Sequence, residues 1–191
     1  MGLSALRGTV SCVLIDLFPC SMFGADSGAA MLYSNGPTWV NGAHVPRPSS
    51  AIFSGDLLHT RSDAIANINQ PGSTVQVLAD SLVQFEGASV KIDHGGVRVS
   101  TSKHMSTAAG DVTVAPVSNA WTEFNVIDVD GTVRVAARNG DVTVSDGKGT
   151  VTLAQGQETT RDESSDNSSD NPKRKHRKRM AGAVPGASGG F

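Results

Sequence analysis

The chain holds little of what several common kinds of chemistry require. Cys12 and Cys20 are the only cysteines among 191 residues. Two thiols at that spacing make neither a metal-ligand pattern nor a disulfide framework, and they leave the redox compartment open. Aromatic residues are scarce at 5%, so a core has to be assembled from Val, Ile, Leu and Ala. No apolar run reaches the roughly 18 residues of a membrane-spanning helix. Attachment to a bilayer would therefore come from a processed or additional segment. An excess of one charge is missing too, with a net charge of −2. That average hides a split, because Lys173, Arg174, Lys175, Arg177, Lys178 and Arg179 gather six of the 16 basic residues into one run. The remainder is mildly acidic.

Helical periodicity is also missing, most plainly in the stretch from Asp128 to Gln157. Val133 and Val135, Val142 and Val144, and Val151 and Leu153 are apolar pairs spaced by two, with Arg134, Thr143 and Thr152 between them. Side chains of a strand alternate between faces, so each pair points one way and the intervening residue the other. Asp130-Gly131, Asn139-Gly140 and Asp146-Gly147 punctuate these strands with dipeptides that supply positive φ at tight turns. The same grammar begins at Met31. Asn35-Gly36 and Asn41-Gly42 follow short apolar runs, Pro46 and Pro48 interrupt pairing because proline has no N–H to donate, and Gly55-Asp56 forms a corner before Leu57. The alternation predicts a core of Trp39, Val40, Ile52, Leu57, Ile65, Val77, Leu82, Phe85, Val99, Val114, Phe124, Val126, Val133, Val135, Val142, Val144, Val151 and Leu153.

A faint internal repeat accompanies the strands. Gly96-Val97-Arg98-Val99 is echoed by Thr132-Val133-Arg134-Val135, and Gly110-Asp111-Val112-Thr113-Val114 returns as Gly140-Asp141-Val142-Thr143-Val144. Short repeated strands with Gly-Asp corners predict units that each fail to bury a face alone and must stack on a neighbour. Residues 29–157 are thus expected to form one all-β domain, its short strands stacked as a solenoid-like β-roll.

The flanks read differently. Residues 1–28 contain Arg7 and an apolar patch, Val10–Phe18, that Asp16 interrupts and Pro19 stops, so a degraded secretory signal and a disordered lead-in fit equally well. Residues 158–191 pass from an acidic, Ser/Asn-rich segment through the basic run to a Gly/Ala-rich end. They cannot bury enough apolar surface to offset roughly 1–2 kcal/mol of backbone ordering per residue, and are expected to be a disordered tail.

Four pieces of residues 29–157 carry a family likeness. They are Gly36-Pro37-Thr38-Trp39-Val40-Asn41-Gly42; Ile52-Phe53-Ser54-Gly55-Asp56-Leu57-Leu58-His59-Thr60; Thr122-Glu123-Phe124-Asn125-Val126 followed by Gly131-Thr132-Val133-Arg134-Val135; and Val151-Thr152-Leu153-Ala154-Gln155-Gly156-Gln157. In this order and spacing the chain resembles the FecR domain, a family named for a periplasmic regulator of iron uptake. The resemblance implies an all-β envelope domain with no catalytic activity and no cofactor. It singles out Asn41, Gly42, Gly55, Asp56, Gly131, Gly140, Asp141 and Gly156 as structural motif positions. The anti-sigma segment and membrane helix that precede the domain in that regulator have no counterpart here. The chain looks more like stand-alone carriers of the domain, whose basic, Gly/Ala-rich tail leads into a C-terminal membrane helix, and by that likeness it ends just short of one.

Other chemistry is weakly signalled. Asp128, Asp130 and Gly131 resemble the opening of a calcium loop but lack its further ligands, so a plain turn is preferred. His44, His59, His94, His104 and His176 are scattered without metal-ligand spacing. There is no Gly-x-Ser-x-Gly elbow, and Gly147-Lys148-Gly149-Thr150 lacks the upstream glycine of a phosphate-binding loop. The functional expectation is a non-enzymatic module for protein interaction or signal transduction, with a protein partner in the envelope, periplasmic or anchored facing the periplasm. The basic run adds contact with anionic lipid, or, less favoured, nucleic acid, since it has no interleaved aromatics for base stacking. A polysaccharide-binding module is the third class, with Trp39, Trp121 and Tyr33 as stacking residues.

Overall fold

The computed structural model describes residues 29–162. Strands dominate, and there is no helix among the described residues. In chain order they are β1 (Ala30–Asn35), β2 (Thr38–Val40), β3 (Ala43–His44), β4 (Ser49–Ile52), β5 (Leu57–Thr60), β6 (Ile65–Gln70), β7 (Ser73–Val77) and β8 (Ser81–Phe85). The second half contributes β9 (Ser89–Thr101), β10 (Ser106–Ala109), β11 (Val112–Pro116), β12 (Thr122–Val129), β13 (Thr132–Asn139), β14 (Val142–Asp146), β15 (Gly149–Leu153) and β16 (Glu158–Asp162).

The strands form two leaves that share β9. The first leaf runs β4-β1-β6-β7-β9-β12-β13-β16, and the second runs β3-β2-β5-β8-β9-β10-β11-β14-β15. The early part of β9 belongs to the second leaf and the part from Gly95 onward to the first. A residue at Gly95 must adopt φ +89°, and a Cβ there would strike Ser81 and lie 2.6 Å from the Asp80 carbonyl oxygen. Glycine is therefore what lets the strand turn from one leaf into the other. The turn is fastened by the Gly96 N–H donating to Ser81 Oγ at 2.9 Å and the Leu78 N–H donating to the Gly96 carbonyl at 2.9 Å.

One core lies between the leaves. Leu32, Ile68, Val75, Val97, Phe124 and Val135 face it from the first leaf, and Leu58, Val83, Phe85, Ile92, Val114 and Val144 from the second, all essentially inaccessible to solvent. Each buried Val or Leu removes enough apolar surface from water to be worth about 1.5–3 kcal/mol.

The all-β expectation holds, but the solenoid-like stacking takes another form. Every pairing among the described residues is antiparallel except that of β10 with β9, and the chain passes back and forth between leaves in place of climbing in rungs. The sequence repeats acquire a clear meaning in this arrangement. The two Gly-Asp-Val-Thr-Val copies lie side by side as β11 and β14, with Val114 opposite Val144. The two x-Val-Arg-Val copies flank β12, so that Val126 faces Val97 on one side and Val135 on the other.

The boundary at residue 157 also needs correction. Glu158–Asp162 is a strand, pairing with β13 from Ala136↔Glu158 to Thr132↔Asp162. It was invisible to a reading of apolar pattern because its side chains stay largely exposed and its order comes from the backbone ladder. Residues 1–28, the rest of the tail and the basic run Lys173–Arg179 lie outside the described residues.

Candidate functional site

The outer face of the second leaf carries side chains that a solvent face does not need. The register places His44 opposite Trp39, Trp39 opposite His59, His59 opposite Leu82 and Leu82 opposite His94, a single row across β3, β2, β5, β8 and β9. Their inward neighbours Thr38, Leu58 and Val83 are fully buried, so alternation sends Trp39, Leu57, His59 and Leu82 outward. A bulge between Leu82 and Val83 brings His94 into line.

The row is packed. The Trp39 ring meets His44 edge-on with centroids 5.6 Å apart, and His59 at a tilt with centroids 5.5 Å apart. A concavity of about 620 Å³ opens over it, lined by Trp39, Gly42, Leu57, His59, Asp80, Ser81, Leu82 and His94. Three of the predicted core residues, Trp39, Leu57 and Leu82, line this groove and are only half-buried. The expected alternation takes Leu57 and Leu82 as inward and counts Trp39 with its neighbour Val40. The strand period instead assigns the inner face to Thr38, Leu58 and Val83, one phase away. A signal was available: Leu57-Leu58 and Leu82-Val83 are apolar in both phases, so one member of each pair has to face out.

The motif positions fall into two groups. Asn41 and Asp56 meet beside the groove: Asn41 Nδ2 donates to Asp56 Oδ1 at 2.7 Å, and Asn41 Oδ1 accepts the Leu57 N–H at 2.9 Å. The second Asp56 oxygen accepts the Phe53 N–H at 2.8 Å, and the Gly55 N–H reaches the Phe85 carbonyl at 2.7 Å. Asn41 and Gly42, at φ 51° and 78°, form the tight turn from β2 to β3. Together these residues fix the loop ends that carry Trp39 and Leu57. The other group lies toward the far end of the molecule. The Gly140 N–H donates to Gln155 Oε1 at 3.2 Å, Asp141 Oδ1 accepts the Gln155 N–H at 2.9 Å, and the Gly156 N–H donates to the Ala137 carbonyl at 2.8 Å. Gly131, with Asp130, turns β12 into β13.

Asp128 sits at the inner end of β12, opposite Gly95. It is buried, and its Oδ1 has no hydrogen-bond partner. Burial pushes its carboxyl above the ordinary aspartate range, against the lowering influence of the Gly131 N–H and of nearby His94, with Asp130 raising it further. The Asp130-Gly131 dipeptide is a plain turn. No group of three or more His, Cys, Asp or Glu side chains fit to hold a metal ion occurs among the described residues. In the row itself, Trp39 separates His44 from His59, and Leu82 separates His59 from His94.

The stacking residues weighed for polysaccharide are not brought together. Trp39 is on the second leaf, Tyr33 on β1 of the first, and Trp121 precedes β12. Tyr33 and Trp121 are both exposed, yet they make no common platform with Trp39.

Among solved structures, the fold is similar to two crystal structures, at 1.65 and 2.50 Å, of a provisionally assigned anti-sigma factor from Parabacteroides distasonis ATCC 8503. Each has 15% sequence identity and a TM-score of 0.45, the match covering 56% of this chain and 59% of that one. The chain thus covers less than two thirds of the length of the structures it matches. No family model and no curated protein matches the chain.

Proposed function

We propose that residues 29–162 form a non-enzymatic, FecR-like recognition module of the bacterial cell envelope that engages a protein partner through the outer face of the second leaf. One observation carries this reading: the strand period places Trp39, Leu57 and Leu82 on the solvent side, Trp39 and Leu82 in one register row with three imidazoles, beneath a concave surface. Protein interfaces concentrate their binding energy in a few aromatic and aliphatic anchors set in a concavity and ringed by polar groups. Here Trp39 and Leu82 are the anchors, and Asp80, His59 and His94 the polar surround. Periplasmic placement comes with the FecR resemblance. The basic run Lys173–Arg179 adds attraction to anionic lipid head groups from the tail.

The test is site-specific photo-crosslinking in living cells with the full chain. A photoreactive residue at Leu82 is expected to give a discrete protein adduct that Trp39→Ala abolishes, whereas one at Gln76 on the first leaf gives none. Equal labelling from both faces would sink the assignment of the binding face. A fusion after Asp162 to a reporter active only outside the cytoplasm tests the location separately, and activity of a cytoplasm-only reporter at the same junction would overturn it.

A further inference from the structure

We infer that β15 is a docking edge for a second copy of this chain, the two β15 strands pairing antiparallel about a twofold axis at Val151. The starting point is a core that is unfinished at one edge. Val151 lies opposite Val144 on β14, and residues directly opposite share a face. Val144 is buried, so Val151 also belongs to the core face, yet it remains 50% exposed. The inward assignment made from the sequence is right in direction, but among the described residues no strand covers it: β15 is the last strand of its leaf there and pairs with β14 alone. A cleft of about 480 Å³ separates it from β16 of the other leaf, spanned by an ion pair between Arg161 Nε and Asp146 Oδ2 at 3.2 Å.

The other three edges are guarded in the usual ways, and this one is not. β4 follows Pro46 and Pro48, β3 is two residues long, and β16 carries Glu158, Arg161 and Asp162. β15 is Gly-Thr-Val-Thr-Leu, with no proline and no charge. Its register on β14 is set by Ser145 Oγ and Thr150 Oγ1, 2.8 Å apart.

A second copy fits this edge because the segment is self-complementary. With Val151 on the axis, Thr150 faces Thr152 of the second copy, Gly149 faces Leu153 and Lys148 faces Ala154. Threonine pairs across strands are favourable, and no like charges meet. The second leaf then continues from one molecule into the other, and each Val151 covers the other's exposed side. A contact built on five residues per copy is below the roughly 1,000 Å² of a stable interface, so it belongs to the weak, concentration-dependent class.

Sedimentation of the full chain over a concentration series tests the inference. The wild-type chain is expected to pass from monomer to dimer. Val151→Lys places two lysines on the axis and weakens the dimer by about tenfold or more, corresponding to at least ~1.4 kcal/mol. Mixing Val151→Lys with Val151→Glu restores it as a heterodimer. In a Cys12→Ser, Cys20→Ser background, Val151→Cys forms an intermolecular disulfide under mild oxidation, a readout that requires no disruptive substitution. A wild-type chain that stays monomeric throughout, a dimer that Val151→Lys leaves intact, or loss of the dimer without rescue in the mixture each overturns it. The monomeric outcome would hand the edge to an extended strand of a different protein.

Discussion

The two leaves share a core and a strand, but their outer faces are built differently. Across the first leaf one outward row reads Tyr33, Asn67, Gln76, Arg98, Asn125 and Ala136. Its polar members satisfy one another: Gln76 Nε2 donates to Asn67 Oδ1 at 3.4 Å, Arg98 Nε donates to Asn125 Oδ1 at 3.2 Å, and Arg98 stands 3.9 Å from Glu123. The corresponding row of the second leaf is His44, Trp39, His59, Leu82 and His94. Folding requires only that the inner positions be apolar, and both leaves meet that demand with fully buried Val, Leu, Ile and Phe. An outer face is free to be polar. Where it is apolar and concave, stability of the isolated domain does not explain it.

The most damaging way to break the comparison is at the joint. Gly95→Ala has to hold φ near +89° and displace Ser81 and the Asp80 carbonyl, so both faces should lose definition together. The expected cost is about 2–5 kcal/mol from strain and overpacking, read as a fall in thermal midpoint of the full chain. Next is a contrast between the faces themselves. Trp39→Ala removes half-buried ring contacts with His44 and His59 and should cost about 1–2 kcal/mol of stability while abolishing partner crosslinking. Arg98→Ala, in the polar row, should shift stability by no more than about 0.5 kcal/mol and leave crosslinking unchanged. Equal loss of crosslinking in both variants would erase the distinction.

The smallest effect is one of pH. Asp128 has a folded-state carboxyl held above its ordinary range chiefly by burial. Between the ordinary aspartate value and that raised value the folded form binds the extra proton, so stability falls as pH rises through this window and recovers as pH drops. Asp128→Asn removes the group that titrates. Its denaturant midpoint should change less with pH across the window than that of the parent, and at neutral pH it should be no less stable. A steeper dependence in the variant would contradict the burial argument.

Much of the fold can be read from local chemistry. Asn41-Gly42 and Asp130-Gly131 are tight turns with positive φ at both residues, as their side chains favour. Other dipeptides of the same kind serve a different end. Asn35-Gly36 and Asn139-Gly140 join strands that do not pair and carry the chain from one leaf to the other. A Cβ at Gly36 would come within 2.8 Å of Ala64 Cα, and one at Gly140 within 3.1 Å of Thr122 Oγ1, so these glycines are selected by close approach as well as by turn geometry. That approach involves residues distant in sequence, which local pattern does not reveal. Ile65 shows the same limit. The alternation expects Ile65 inward, yet Ala64, Ala66 and Ile68 take the inner phase and leave it 39% exposed. Val40 is half-buried, packing against the rim of the core. The groove is not legible for this reason: alternation in Leu57-Leu58 and Leu82-Val83 fits either phase, and the pairing of strands distant in sequence decides which phase faces the core.

Because β9 pairs with β7 and β12 in one leaf and with β8 and β10 in the other, neither leaf has an interior strand it can call its own at that position. Opening either leaf at its middle loosens one part of the same thirteen-residue strand, whose other part holds the other leaf. Amides of the two leaves that border β9 should therefore exchange with solvent only through one shared, global opening, and cutting the chain within β9 should leave no half that keeps its protons.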